Sequence, residues 1–208
     1  MLPPLPWIPP LRLGTAPPLD ALAAFAAAAE REAELCDYSG STSDETMLPS
    51  QGWFINRSEH EVGRGREAYT KAVRALERLE CMQLSWLRVR LHGKCLAICS
   101  RQFGGLWLLN ANFVLRQQTD GTRSSSSIAW GTSTRHVLAG EERLSVRWDA
   151  STDLVHFEIL SFSRPRHFLS WATYPYVLLQ QKRFAHDASL AMRDLASRPS
   201  VRGGGGPL

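Results

Sequence analysis

The sequence lacks any long apolar run, and this absence excludes a membrane-spanning helix. Such a helix needs about 20 consecutive apolar residues, whereas the alanine-rich run at residues 19–29 is too short and is followed by Glu30, Arg31, Glu32 and Glu34. With 208 residues, 44% hydrophobic and 21% charged, the chain has the composition of a globular protein that buries one sizeable core.

Lysine is scarce, since three of the 24 cationic side chains are lysine and the other 21 are arginine. The net charge is +4, but the basic residues are spread along the chain, whereas nucleic-acid-binding proteins usually concentrate them in a stripe with aromatic residues. Arg143 and Arg147, for example, lie beside Glu141, Glu142 and Asp149. The sequence therefore predicts solvated strand faces and no specific nucleic-acid partner.

Cysteine is infrequent, with four residues in the chain. Cys95 and Cys99 would share one face of a strand with Ala97, which indicates packed, reduced thiols rather than a disulfide framework. No second Cys or His pair has zinc-ligand spacing, and no P-loop, dinucleotide or nucleophile-elbow motif occurs. We therefore predict no metal and no cofactor. The expected location is cytoplasmic, because no signal or transit peptide is recognisable, with an organelle surface or interior left open.

Composition divides the chain into three parts. Residues 1–18 form a proline-rich segment, residues 19–196 are predicted to form a single domain, and residues 197–208 form a glycine-rich tail that is predicted to be disordered. The proline-rich start is pre-extended and could serve as a docking segment.

Hydrophobic periodicity predicts helices at residues 19–36, 66–80 and 166–195, the last of them started or kinked by Pro175. A period of two predicts strands at residues 53–62, 87–91, 94–101, 106–116, 127–132, 142–148 and 155–162. The short connections demand an antiparallel sheet, and the long C-terminal helix is available to cover one face. A curved sheet around a helix commonly leaves a hollow in which ligands bind.

Several motifs, in this order, resemble those of one protein family. They are Gly63-Arg64-Gly65, Ala129-Trp130-Gly131-Thr132 followed by His136, Ala139-Gly140-Glu141-Glu142, Phe162-Ser163-Arg164-Pro165 and Tyr174-Pro175-Tyr176-Val177. Over residues 36–195 the chain resembles the family described as domain of unknown function nineteen-ninety, which includes bacterial, plant and algal proteins, and it is most similar to the plant and algal branch. Cys81 is a departure, because many relatives have a tryptophan there.

The resemblance implies a fold rather than an activity. The strand and helix order of the family is similar to that of the helix-grip, START-like superfamily of lipid and hydrophobic-ligand carriers. We therefore expect an α+β fold in which a curved antiparallel sheet grips a long C-terminal helix, with an extra N-terminal helix. The partner implied is a small hydrophobic or amphipathic molecule, while peripheral contact with a membrane surface and the oligomeric state are left open.

His136, Glu141 and Glu142 are the candidate catalytic residues. They lie where two predicted strands turn, and a histidine beside a carboxylate can act as an oriented general base, because its usual pKa of about 6.5 is near neutral pH. In the alternative interpretation, which the sequence favours, Gly140 supplies a tight hairpin, and Glu141 caps a backbone segment or pairs with a nearby arginine.

The predicted ligand-binding residues are Trp130, Arg164, Tyr174, Phe184 and Glu158. The three aromatic residues fall on elements that would face the hollow, although aromatic residues more often belong to a core. Arg164 could bind an anionic head group through its guanidinium fork.

Two further residues near these candidates have competing interpretations. Ser163 is predicted to cap the long helix, with Pro165 in the first turn. His156 would form a buried acid–base pair with Glu158 if their strand face lined the hollow. Strand alternation places Phe157 on the inner face instead, which favours an outward position for Glu158.

The sequence thus supports three functions. The leading one is binding of a small apolar or amphipathic molecule without catalysis. The second is an enzyme that uses His136, Glu141 or Glu142 for proton transfer on such a ligand. The third is a protein-interaction module, in which side chains fill the space between sheet and helix and leave no void larger than a few waters.

Overall fold

The described part of the chain contains one curved antiparallel sheet of eight strands. The structure is a computed structural model, and it describes residues 10–32, 40–119 and 124–199. The strand order is β2-β8-β7-β6-β5-β4-β3, and β1 pairs with β5 outside this path. The strands are β1 (Leu11–Leu13), β2 (Phe54–Arg64), β3 (Leu87–His92), β4 (Cys95–Arg101), β5 (Leu106–Thr119), β6 (Ser125–Thr132), β7 (Leu138–Asp149) and β8 (Leu154–Pro165).

The described residues also form four α-helices. They are α1 (Leu19–Glu32), α2 (Gly65–Glu77), α3 (Phe168–Ala172) and α4 (Tyr174–Ser197). The predicted fold class is confirmed, because a curved antiparallel sheet, a long C-terminal helix and an extra N-terminal helix are all present. None of the helices described is long and apolar enough to cross a bilayer.

Helices α2 and α4 pack on the concave face of the sheet and form the main core. On β8, Val155, Phe157 and Ile159 alternate toward these helices and are fully buried. On α4, Phe184, Ala188 and other residues at helical spacing meet them. Burying a large apolar side chain contributes about 2 kcal/mol, so the alternation of the strands fixes which face the helices cover.

Helix α1 covers part of the convex face. Ala26 packs against Cys95 and Ala97, and Leu22 packs against Cys99. The predicted shared face of these three strand residues is therefore confirmed. Burial raises the pKa of both thiols to about 11, so they are protonated at neutral pH.

The prediction of one helix over residues 166–195 is wrong, and so is the prediction that Ser163 caps it. Ser163 belongs to β8, which stays paired with β7 as far as Pro165, because the ladder offers its backbone more hydrogen bonds than a helix end would. Helix α3 is capped by His167, whose Nδ1 accepts a hydrogen bond from Leu169 N at 3.2 Å. Helix α4 then starts at Tyr174, next to Pro175, as predicted.

The short strand β1 lies inside the segment that the sequence predicts as proline-rich. It pairs antiparallel with β5, from Leu11 opposite Leu108 to Leu13 opposite Leu106. Residues 33–36, the predicted end of the first helix, and residues 1–9 and 200–208 lie outside the described residues.

Candidate functional site

A cavity of about 200 Å³ lies between the concave face of the sheet and helix α4. Its apolar walls come from both sides and include Met82, Trp86, Ile98, Trp130, Val177 and Phe184. Trp130 and Phe184 therefore lie where the sequence predicts a ligand to bind. A void of this size exceeds the space of a few waters, whereas a protein-interaction module with a filled interior would leave no void that large.

A row of polar side chains crosses the concave face at this cavity. Thr132 on β6 lies opposite Asn112 on β5. On the neighbouring strands, Glu142 on β7 lies between Trp130 and Ser161. All five residues line the cavity, because directly opposed residues of antiparallel strands point to the same face.

Glu142 presents its carboxyl group to the cavity without a partner. Among the described residues, no hydrogen bond or ion pair engages this side chain. Burial among apolar walls raises the pKa of Glu142 from 4.5 to about 7, because a low-dielectric surrounding disfavours the charged form. Near neutral pH the side chain therefore exists in both protonation states.

Two buried amide atoms at the cavity also lack partners in the described structure. They are Nδ2 of Asn112 and Oε1 of Gln181. The other end of the Gln181 amide is held, since its Nε2 donates a hydrogen bond to Ser163 Oγ at 2.7 Å. Buried polar atoms are usually satisfied, so two residues of the cavity wall each carry a buried polar atom that no described residue pairs with.

His136 lines the same cavity from the connection between β6 and β7. Its Nδ1 lies 2.9 Å from Leu138 N and 3.1 Å from Leu138 O, so the backbone of Leu138 offers this nitrogen both a donor and an acceptor. The pKa of His136 is lowered to about 4, mainly by burial and to a smaller extent by the charge of Arg166, while a hydrogen bond with the Leu138 backbone acts in the opposite direction. The ring is therefore neutral at physiological pH.

Glu141 points to the opposite face of the sheet and has a structural role. Its carboxylate accepts hydrogen bonds from the backbone N–H groups of Gly40, Ser41 and Thr42, at 3.0 to 3.2 Å, and from the Thr42 hydroxyl. The side chain is 3% exposed. The predicted capping role of Glu141 is thus the one that the contacts support, and its carboxylate does not enter the cavity.

Gly140 does not form the hairpin that the sequence predicts. It lies inside β7, opposite Ser163 on β8. A Cβ atom at this position would collide with the backbone oxygen of Phe162. The glycine is required because two strands approach closely beside the cavity.

Arg164 and Tyr174 are absent from the described lining of the cavity. Arg164 extends from the convex side of β8, where its guanidinium stacks 4.5 Å from the ring centre of Trp53. Trp53 in turn meets Phe162 edge to face, with the ring centres 5.2 Å apart. The strand alternation that brings Ser163 to the cavity sends Arg164 away from it.

Glu158 also lies on the convex face, as alternation predicts, and therefore outside the cavity. It accepts hydrogen bonds from Arg57 Nε and from Arg143 Nη2, both at 2.8 Å. Burial alone would raise the pKa of this carboxyl group, but the two arginines outweigh it and hold the pKa below its usual value. Nδ1 of His156, two residues earlier on the same face, lies 3.3 Å from Oε1 of Glu59. His156 is thus directed to Glu59 and does not form an acid–base pair with Glu158.

Sequence reasoning missed Asn112, Ser161 and Gln181 as cavity residues. A signal for two of them is present, because Asn112 interrupts the apolar alternation of β5 and Ser161 follows Ile159 on the inner face of β8. Gln181 lies within the predicted C-terminal helix, and nothing in the sequence around it shows that its amide meets a cavity.

A family model and two related proteins identify the same protein family for this chain. The family model described as "Domain of unknown function (DUF1990)" matches residues 37–191. A UPF0548 protein of Arabidopsis thaliana is 34% identical over 157 residues, which cover 72% of this chain and 76% of the relative. A UPF0548 protein of Dictyostelium discoideum is 30% identical over 168 residues, covering 71% and 76%.

Similarity to solved structures is weaker. The di-domain ARO/CYC BexL from the BE-7585A biosynthetic pathway is 11% identical, with a TM-score of 0.48 over 85% of this chain and 61% of that one. The Zhui aromatase/cyclase from Streptomyces sp. R1128 is also 11% identical, with a TM-score of 0.46 over 74% of this chain and all of that one. Similarity at this level supports no statement about activity.

Proposed function

The chain belongs to the DUF1990 family, and we propose that this protein binds a small apolar or amphipathic molecule between its sheet and helix α4. One observation carries the proposal: an apolar cavity of about 200 Å³ with unpartnered polar groups in its wall. Binding sites for small molecules commonly combine mostly apolar walls with a few placed polar groups that fix orientation.

Two free-energy terms favour an occupant. Apolar ligand surface that leaves water for the walls formed by Trp130 and Phe184 gains about 25 cal/mol per Å². An unsatisfied buried amide such as Asn112 Nδ2 costs about 1–3 kcal/mol. A ligand with an apolar body and a polar end would supply both terms at once.

Native mass spectrometry of the purified protein, with organic extraction of the same sample, tests this proposal. We expect an additional mass that survives desalting and appears in the extract. In Gln181→Trp the larger side chain fills the cavity and the additional mass should disappear. Leu179→Trp is the matched control, because Leu179 lies on the same helix and is 65% exposed.

A clean unliganded mass from the protein's natural source would count against binding. Circular dichroism of both tryptophan variants must show an intact fold, so that lost binding is separated from unfolding. If Gln181→Trp is unfolded, Gln181→Leu removes the acceptor with less added volume, and weaker retention of the same mass is then the expected result.

A second candidate function is proton transfer on the bound ligand by Glu142. The observation that favours it is the raised pKa of about 7 in a cavity-lining carboxyl group that has no partner among the described residues, since a general acid or base works best when its pKa is near the ambient pH. We expect Glu142→Gln to bind the identified ligand but not convert it, and the wild-type rate to change near pH 7. Binding without turnover in the wild-type protein would refute catalysis.

A further inference from the structure

The charge of the cavity is unusually one-sided. Of the described lining residues, those with ionisable side chains are His136, Glu141 and Glu142, and neither arginine nor lysine is among them. The Glu141 carboxylate is directed to the backbone of Thr42 on the other face, and His136 is neutral at physiological pH because burial lowers its pKa to about 4. Glu142 is therefore the group that can bring a charge to a ligand, and that charge is negative.

This arrangement discriminates between ligand classes. A carboxylate in an apolar surrounding repels an anionic ligand and attracts a cationic one more strongly than it would in water. Arg164 is exposed and stacks on Trp53 on the convex face. It is therefore not available in the cavity to compensate the charge of an anionic head group.

We propose that the ligand of this cavity is a small apolar amine, whose ammonium group pairs with the carboxylate of Glu142. This inference rests on the proposed binding function and names its ligand class. Gln181 Oε1 is an acceptor without a partner at the same cavity and suits a second ammonium hydrogen. Asn112 Nδ2 is a donor without a partner and suits a hydroxyl or carbonyl oxygen on the ligand body.

The pairing makes binding depend on pH. Around Glu142 the cavity presents Trp130 and Thr132 from β6, Ser161 from β8 and Gln181 from α4, and none of these side chains titrates near neutral pH. His136, from the β6–β7 connection, stays neutral above its lowered pKa. An aliphatic amine remains protonated up to pH ~10. Binding of the amine should therefore strengthen about tenfold between pH 6 and pH 8, as Glu142 ionises.

Isothermal titration with three probes that share one skeleton tests the inference: 3-phenylpropylamine, 3-phenylpropanol and 3-phenylpropanoate. At pH 8 the wild-type protein should bind the amine at least tenfold more tightly than the alcohol, and the carboxylate most weakly. Glu142→Gln should reduce the preference for the amine to about twofold. Glu158→Gln is the matched control, because it removes a carboxylate from the convex face and should leave the preference unchanged.

Each outcome separates this inference from the function on which it rests. If the alcohol binds in the wild-type protein and the amine binds no more tightly, the amine inference is wrong and the binding function stands. An unchanged amine preference in Glu142→Gln would also refute it. If none of the three probes binds at millimolar concentration, both the binding function and the inference are refuted.

Discussion

The two faces of the sheet give glutamate side chains opposite surroundings. Glu142 on β7 faces the cavity, has no partner among the described residues, and has a pKa raised by burial to about 7. Glu158 on the adjacent β8 faces outward, accepts hydrogen bonds from Arg57 and Arg143, and has a pKa below its usual value. The chemistry of a carboxyl group in this fold is thus decided by the face to which its strand position directs it.

Glu141 sharpens the comparison because it is the sequence neighbour of Glu142. Its carboxylate is buried on the convex side and is held by three backbone N–H groups of residues 40–42. Burial alone therefore does not leave a carboxyl group without partners. The convex carboxylates are paired within the fold, whereas Glu142 lines the cavity and has no partner among the described residues.

Removal of the Glu141 carboxylate should have the largest effect on stability. Glu141→Ala leaves the backbone donors of Gly40 and Thr42 without their acceptor, and each unsatisfied buried group costs about 1–3 kcal/mol. We expect a loss of about 4 kcal/mol in the free energy of unfolding, measured by chemical denaturation at pH 7. A loss below about 1 kcal/mol would contradict the capping role.

Replacement of Glu142 should increase the stability of the folded state at high pH, in contrast to replacement of Glu141. Its folded pKa of about 7 lies above the usual 4.5. Between pH 4.5 and pH 7 the folded state therefore keeps a proton that the unfolded state has released. Wild-type stability falls as the pH rises through this range. We expect Glu142→Gln to be more stable than the wild type by about 3 kcal/mol at pH 8 and equal to it at pH 4.5. An equal difference at both pH values would contradict the raised pKa.

His136 should show the reverse pH dependence with a similar size. Its folded pKa of about 4 lies below the usual 6.5, so wild-type stability is lost as the pH falls from 6.5 toward 4, where the unfolded chain gains a proton first. The test compares the free energy of unfolding of His136→Asn with that of the wild type at pH 8 and at pH 4. Between these pH values the difference should shift by about 3 kcal/mol in favour of the variant. Asparagine retains an acceptor for Leu138 N, and a pH-independent difference would refute the prediction.

The sequence predicts much of this contrast, because a strand period of two assigns a face to each residue. Leu144 and Val146 mark the inner side of β7, and Glu142 is in phase with them. Phe157 marks the inner side of β8, and Glu158 is out of phase with it. The outward position of Glu158 and the inward position of Glu142 are both local properties of alternation.

The partners of these carboxylates could not be predicted in the same way. Thr42 contacts Glu141 across 99 positions of the sequence, and Arg57 contacts Glu158 across 101. The guanidinium fork of Arg164 suggests an anionic head group, but its actual partner is Trp53, more than 100 positions away and just before β2. Contacts of this kind depend on which strands are neighbours, and the local pattern carries no information about that order.

Removal of the Glu158 carboxylate should cause a moderate loss of stability at pH 7 that disappears at low pH. Glu158→Gln leaves Arg143, whose side chain is 17% exposed, without its ion partner, and we expect a loss of about 2 kcal/mol at pH 7. The folded pKa is lowered, so the wild-type advantage is present above the usual pKa and is lost as the pH falls through the folded value. Denaturation curves of both proteins should therefore converge in acid, once the Glu158 carboxyl group is protonated in the folded wild type.

Arg164→Ala should have the smallest effect and gives the sharpest test of the two faces. The guanidinium lies over the ring of Trp53 at 4.5 Å on an exposed surface, and such a contact contributes about 0.5–1 kcal/mol. Because Arg164 points away from the cavity, the variant should bind the amine and alcohol probes as the wild type does, with Arg164→Lys as the charge-retaining control. A selective loss of ligand binding in Arg164→Ala would mean that ligands also reach the convex face, and the division between a ligand face and a stabilising face would then fail.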